Sequence, residues 1–144
     1  MRHPMQPFID KILRRSKPER ILFCYGSLLR GESNHHVMAH CRFVGPARTA
    51  PLYRLLDLGP YPALVSGGEV AIAGELYSVD DEALARIDRF EGHPHHYRRT
   101  PIRLGGGGGA ESYLLVAPRR ADAAEIASGD WRAHRRARGP VRGT

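Results

Sequence analysis

The sequence predicts an α+β protein, a curled or closed mixed sheet with peripheral α-helices. Three observations lead there. Short runs of apolar and β-forming residues recur between Gly- and Pro-rich turns, only a few stretches have helical spacing, and strand and helix patterns do not alternate as they do in a doubly wound sheet. At 144 residues the chain has the size of one domain. Its 42% hydrophobic and 26% charged residues exclude a disordered, collagenous or disulfide-dense protein.

The elements follow in order. Pro7 to Arg15 places Phe8, Ile9, Ile12 and Leu13 on one side, the spacing of a short helix opened by proline. Ile21 to Tyr25 is a compact apolar run ended by Gly26 and Ser27, a buried strand entering a tight loop. Arg42 to Thr49, Tyr53 to Leu58 and Ala63 to Val65 are further short strands, and Gly59-Pro60-Tyr61-Pro62 turns the chain between the last two. Glu69 to Val79 is the longest extended segment, with Val70, Ile72, Gly74 and Leu76 on one face and Ala71, Ala73, Glu75 and Tyr77 on the other. Gly74 marks a bend or a close backbone approach. Asp80 to Phe90 is the clearest helix, opened by Asp80, Asp81 and Glu82 as the macrodipole favours, with Gly92 just past its end. Tyr97 to Leu104 and Ser112 to Ala117 pair across the glycines 105–109, Ala121 to Ser128 is a short helix, and Gly129-Asp130-Trp131 begins a polar tail.

The net charge is +7, and its placement matters more than its size. Residues 1–20 carry six basic and two acidic side chains, residues 131–144 carry five arginines and no acid, and the stretch between holds 11 basic and 13 acidic residues. The chain thus divides into a basic N-terminal helix or extension over 1–20, a near-neutral domain over 21–131 and a basic C-terminal tail over 132–144. A nucleic-acid reader carries its positive stripe on the folded face that meets the phosphates, so charge confined to the ends argues against that partner. No stretch approaches the ~20 apolar residues of a membrane helix, and residues 1–20 lack the apolar core of a secretion signal. A cytoplasmic protein with no membrane partner is expected, with Cys24 and Cys41 both reduced. Nothing in the sequence sets the oligomeric state.

Several residue groups could carry chemistry. Glu91 lies four residues after Ile87 and seven after Leu84, so it continues the core-facing stripe of the helix. It also sits at the helix C-terminus, where unpaired carbonyls repel negative charge. A carboxylate held there has its pKa raised by desolvation, which suits a group that takes and returns a proton near neutral pH. An unwound last turn would instead send Glu91 to water. Tyr25-Gly26-Ser27-Leu28 leaves a strand through a tight turn of the kind that aims successive N–H groups at one anion, although Gly26 by itself need only turn the chain. The stretch Gly26 to Ser33 imitates the nucleotide loop GxxxxGK[ST], but Glu32 stands in the lysine position and disqualifies a triphosphate site. His36 and His40 have i, i+4 spacing, and His93, His95 and His96 cluster, but neither group has the glutamate of a zinc helix, so no metal is assigned. Cys24, inside an apolar strand, reads as inert core and not as a nucleophile. Glu75 is a rival carboxylate whose expected role is pairing with an arginine.

Together these motifs resemble the gamma-glutamylcyclotransferase-like family, and in particular its gamma-glutamylamine cyclotransferase branch, from Ile21 to about Trp131. Tyr25-Gly26-Ser27-Leu28 with Gly31 and Asn34 is similar to the family's YG[ST]L..G..N opening, and Gly59 with Tyr61-Pro62 to its middle turn. Gly74-Glu75-Leu76-Tyr77 resembles its GE[LV]Y strand, and Asp88-Arg89-Phe90-Glu91-Gly92 its DxFEG helix end, continued by Pro94, Tyr97 and Arg99. The resemblance implies a small mixed barrel flanked by helices, with Glu91 as catalytic acid/base. The loop from Tyr25 to Leu28 would hold a small-molecule γ-glutamyl substrate, with Asn34 and Tyr97 as further substrate-binding residues. It implies release of 5-oxoproline and a free amine, with no metal or organic cofactor. A non-catalytic metabolite binder of the same fold is the alternative. His93-Pro94-His95-His96 departs from the more apolar sequence usual in the amine branch, so the leaving amine stays open.

Overall fold

Seven strands account for the apolar runs. In the computed structural model, which describes residues 19–116 and 123–140, they are β1 (Arg20–Cys24), β2 (Arg42–Arg48), β3 (Tyr53–Asp57), β4 (Pro62–Ser66), β5 (Ala73–Val79), β6 (Tyr97–Arg103) and β7 (Gly109–Leu115). Two helices join them, α1 (Asp81–Glu91) and α2 (Trp131–Arg138), with a single 3-10 turn over His35–Met38. The result is a mixed α+β fold built on one curled sheet. No described helix is long and apolar enough to cross a membrane.

The strands lie in the order β2-β5-β1-β7-β4-β3, with β6 added on β7. The β2–β5, β5–β1, β3–β4 and β6–β7 pairs are antiparallel, whereas β1 and β4 both run parallel to β7. Strand β7 therefore has three partners. Along one side it pairs with β6 from Arg103↔Gly109 to Tyr97↔Leu115. Along the other it meets β1 at Leu22↔Glu111 and then β4 at Leu64↔Leu114. Two strands sharing one edge of a third must part, and the gap between them is the feature on which the site is built. Bridges at Thr49↔Leu104 and Tyr53↔Val70 draw the ends of the sheet inward, but no strand ladder among the described residues joins β2 to β3, so the sheet stays open.

Helix α1 forms where its caps require. The Asp80 side chain accepts from Ala83 N, the first turn carries Asp81 and Glu82, and Gly92 closes the helix in the left-handed region at φ 67°. Ala83, Leu84 and Ile87 face the core.

Four expectations need correction, and a fifth falls outside the described residues. Residues 123–128 are not helical, since Ile126 N donates to Leu55 O at 2.7 Å and Asp57 N to Ala124 O at 2.8 Å. The segment covers the open edge of β3, and buried Ile126 anchors it, so pairing overrides the helix propensity of its alanines. Residues 131–138, expected in a polar tail, form α2, with Asp130 accepting from Ala133 N and Trp131 1% exposed. Strand β7 starts at Gly109 and not at Ser112, because the antiparallel register with β6 extends into the glycine run. The regular part of β5 is Ala73–Val79, since Ile72 N is taken by the Thr49 hydroxyl and Ala73 N by Gly129 O. The helix expected over Pro7 to Arg15 lies outside the described residues.

Gly74 on β5 leaves no room for a side chain against the end of β1. A Cβ there would lie 2.2 Å from Cys24 O and 2.5 Å from the Phe23 ring. Gly74→Ala is expected to destabilise the fold by about 1–3 kcal/mol, as overpacking does, and chemical denaturation of the two proteins measures it.

Candidate active site

Strand β1 ends at Cys24, and the next four residues turn away beside β4. Gly26 is required by that approach, since a Cβ on it would sit 2.7 Å from Pro62 Cγ. The turn is closed by Leu29 N donating to Gly26 O at 3.0 Å and Asn34 N to Ser27 O at 2.9 Å. Among the described residues, none accepts a hydrogen bond from the backbone N–H of Gly26, Ser27 or Leu28. Three successive unpaired amides beside a cavity form a ready site for an anion. Asn34 precedes the 3-10 turn without capping it, leaving its side chain at the cavity wall.

Tyr25 fills the gap between β1 and β4. Its buried hydroxyl donates to Tyr113 O on β7 at 2.6 Å and accepts from Leu64 N on β4 at 3.3 Å, giving the parted strands a common link. The cavity opens beside it. It measures about 250 Å³, just under the ~300–1,000 Å³ of sites for drug-sized ligands, which suits a small metabolite.

The seven residues expected from the sequence to bind or act on a substrate all line this cavity: Tyr25, Gly26, Ser27 and Leu28 from the turn, Asn34 beyond it, Glu91 from α1 and Tyr97 from β6. Glu91 is the last residue of an intact α1 and is half-buried in the cavity wall. Its carboxyl is pushed up to about 7 by burial, and among the described residues no cation or hydrogen-bond donor pairs with it. Tyr97, which donates to Pro62 O at 3.2 Å, has its hydroxyl pushed well above the ordinary phenol range, first by burial and then by the Glu91 charge. Cys24 borders the cavity, but burial, then Glu91 and Glu75, keep its thiol protonated, so it is a poor nucleophile. Sequence reasoning did not assign Phe90, His96 or Tyr113 to the site, and it used Tyr61 only as part of a turn motif. Nothing in the sequence separates Tyr113 from an ordinary strand tyrosine, because its role depends on the split along β7.

Two ion-pair networks hold this wall in place. Asp88, three residues before Glu91, receives both Nε and Nη2 of Arg99, at 3.0 and 3.2 Å, and the Tyr113 hydroxyl at 2.6 Å. Burial alone would raise the Asp88 pKa, yet Arg99 and Tyr113 hold it below the usual carboxylate range. The last turn of α1 is thereby tied to β6 and β7. Glu75 serves the loop. It is 3% exposed, does not line the cavity, and accepts from Arg30 N at 3.0 Å, Arg30 Nε at 3.1 Å, the Tyr77 hydroxyl at 3.0 Å and Arg132 at 3.2 Å. These donors outweigh burial and hold its carboxyl low. Arg132 also donates to Arg30 O at 2.8 Å, and Arg135 grips both oxygens of Glu32 at 2.7 Å. Helix α2 thus clasps the loop that follows β1. Among the described residues, no three His, Cys, Asp or Glu side chains are grouped to hold a metal, and His93 accepts from Arg99 N at 2.9 Å.

Comparison with known proteins gives one family. A family model described as gamma-glutamyl cyclotransferase, AIG2-like, matches residues 22–133. A Vibrio cholerae protein carrying a provisional gamma-glutamylcyclotransferase name is 41% identical over 113 residues, covering 78% of this chain and 96% of its own. The gamma-glutamylaminecyclotransferase of Rattus norvegicus is 35% identical over 106 residues, covering 63% and 71%. The crystal structure of an AIG2-like protein from Mus musculus superposes with a TM-score of 0.73 at 24% identity, covering 88% of this chain and 97% of that one, a likeness of fold.

The burial of Glu91 has a consequence for stability. Its pKa rises from an ordinary 4.5 to about 7 on folding, so the folded chain binds that proton more tightly. The associated stability is fully present below pH 4.5 and is lost as pH rises through about 7. Glutamine removes the penalty of the charged form. Glu91→Gln is expected to exceed the parent in stability at pH 8, by on the order of 3 kcal/mol, and to match it at pH 4. Denaturant midpoints at the two pH values provide the measurement, and equal midpoints at pH 8 would mean a solvated carboxylate.

Proposed function

The chain belongs to the gamma-glutamyl cyclotransferase, AIG2-like family, and from that premise we propose that its cavity closes the γ-glutamyl group of a small amide into 5-oxoproline and expels the amine. Family membership supports gamma-glutamyl cyclotransferase activity on a small-molecule substrate, and the steps below are our reading of how these residues perform it.

The substrate supplies its own nucleophile. Its α-amine attacks the γ-carbonyl, a five-membered lactam forms, and the γ-carbon–nitrogen bond breaks. No water is consumed. Holding amine and carbonyl together uses the effective molarity of an intramolecular reaction, which reaches about 10⁵ M or more. The amides of Gly26, Ser27 and Leu28 bind the α-carboxylate and Asn34 orients the head of the glutamyl group. Glu91 takes a proton from the attacking nitrogen and delivers one to the departing nitrogen. Tyr97, on turning its one hydroxyl proton away from Pro62 O, donates to the amide or to the developing oxyanion. One observation carries this reading: a carboxyl with no partner among the described residues and a pKa of about 7 shares a small cavity with three unpaired backbone amides. A group poised there takes and returns a proton near neutral pH.

Incubation with γ-glutamyl amides should release 5-oxoproline, and kcat/KM should rise with pH through an acid limb near 7. Glu91→Gln should retain the fold and lose about 10²–10⁴ in kcat. Steady-state kinetics on both proteins is the check. Saturable binding of the amide without product would instead favour a metabolite-binding protein of this fold.

A further inference from the structure

The glutamyl group accounts for the inner lining of the cavity, but the mouth has a different character. Four large apolar side chains are exposed among the described residues, and two of them, Tyr61 at 40% and Phe90 at 44%, border this cavity. They come from unrelated elements, the turn between β3 and β4 and the last turn of α1. Beside them His96, also exposed, sets its ring edge-on against Tyr97 at a centroid distance of 5.1 Å. A glutamyl head carries an amine, a carboxylate and an amide carbonyl joined by only two methylenes, and the unpaired amides and Glu91 already answer its polar groups. The two bare aromatic rings are left for whatever is attached to the amide nitrogen.

Charge narrows the choice. Among the described residues that line the cavity, Glu91 is the only carboxylate, and there is no arginine or lysine. Arg89 and Arg98, on either side of the helix end, are exposed and do not line it. A second ammonium on the leaving group, as in a diamine, would find no further acid. A carboxylate, as in an amino acid, would find no arginine or lysine, and only the exposed ring of His96 at the mouth. Desolvating either charge without an oppositely charged guanidinium, ammonium or carboxylate is unfavourable.

We propose that Tyr61 and Phe90 form a leaving-group subsite for a primary amine with an uncharged, apolar body, alkyl or arylalkyl. The proposal rests on the cyclotransferase reading. The broken γ-carbon–nitrogen bond leaves its electron pair on nitrogen, the proton held by Glu91 goes to that nitrogen, and the amine departs neutral from between the two rings.

The test follows 5-oxoproline, the product common to every arm, from four substrates: γ-glutamylmethylamide, γ-glutamylbenzylamide, γ-glutamyl-1,4-diaminobutane and γ-glutamylglycine. The benzylamide should exceed the methylamide in kcat/KM by at least about tenfold, and should exceed both charged conjugates by a similar factor. Phe90→Ala and Tyr61→Ala should each bring the benzyl-to-methyl ratio toward one, and because it is measured within one protein, the ratio is independent of the fraction folded. A charged conjugate that matches the benzylamide, or a ratio that neither substitution moves, would overturn the subsite and leave the cyclotransferase reading standing. Failure of all four substrates to yield 5-oxoproline would overturn both.

Discussion

The parting of β1 and β4 along one edge of β7 is the constraint from which the site follows. Parallel strands that meet β7 at Glu111 and Leu114 cannot both continue beside it, so the backbone beyond each is released from the sheet. On the β1 side this frees the amides of Gly26 to Leu28, and on the β4 side it sets Pro62 against Gly26. A gap of this kind would expose polar backbone inside the fold, a costly arrangement. Tyr25 prevents it, because one hydroxyl serves the Tyr113 carbonyl and the Leu64 amide together. The cavity is what remains after that repair, and the end of α1 supplies its acid.

Three carboxylates around the cavity show how one type of side chain takes different roles. Glu75 is buried and Asp88 half-buried, and each is given an arginine and a tyrosine hydroxyl and remains ionised. Glu91 receives no such partner among the described residues, and burial alone sets its pKa. The two paired acids fix elements, α1 to β6 and β7, and the loop after β1 to β5 and α2. The unpaired one retains free lone pairs in a pocket a ligand can enter. Whether an acid has a partner, more than how deeply it is buried, separates structure from chemistry here.

Much of this was legible in the amino-acid sequence, and the misses share a cause. Helix α1 could be read because its signals are local: Asp80 caps it, Leu84, Ile87 and Glu91 mark one face, and Gly92 ends it. The turn after β1 and the arginine pairing of Glu75 were legible for similar reasons, since glycine and strand alternation speak for themselves. Helix α2 was not. Its arginines looked like a solvated tail because their acidic partners, Glu32, Glu75 and Asp57, lie between 57 and 103 residues away in the chain. Those pairs also occupy charge that would otherwise be offered to phosphates. The misreading of residues 123–128 has the same origin, pairing with a distant strand edge that no local window contains. Tyr113 and the aromatic mouth belong to the cavity only because topology brings β7, α1 and the β3–β4 turn together.

The clasp that α2 places on the loop after β1 also has a temporal side. A ribosome delivers Arg30 a full 102 residues before Arg132, so throughout that stretch of synthesis the loop after β1 exists without its fastening. The sheet can close around Tyr25 well before that, because β7 is complete by Leu115. The fastening therefore waits for the first turn of α2, where Arg132 lies, and a nascent or nicked chain without it holds Glu91 beside a loop that is not yet clasped.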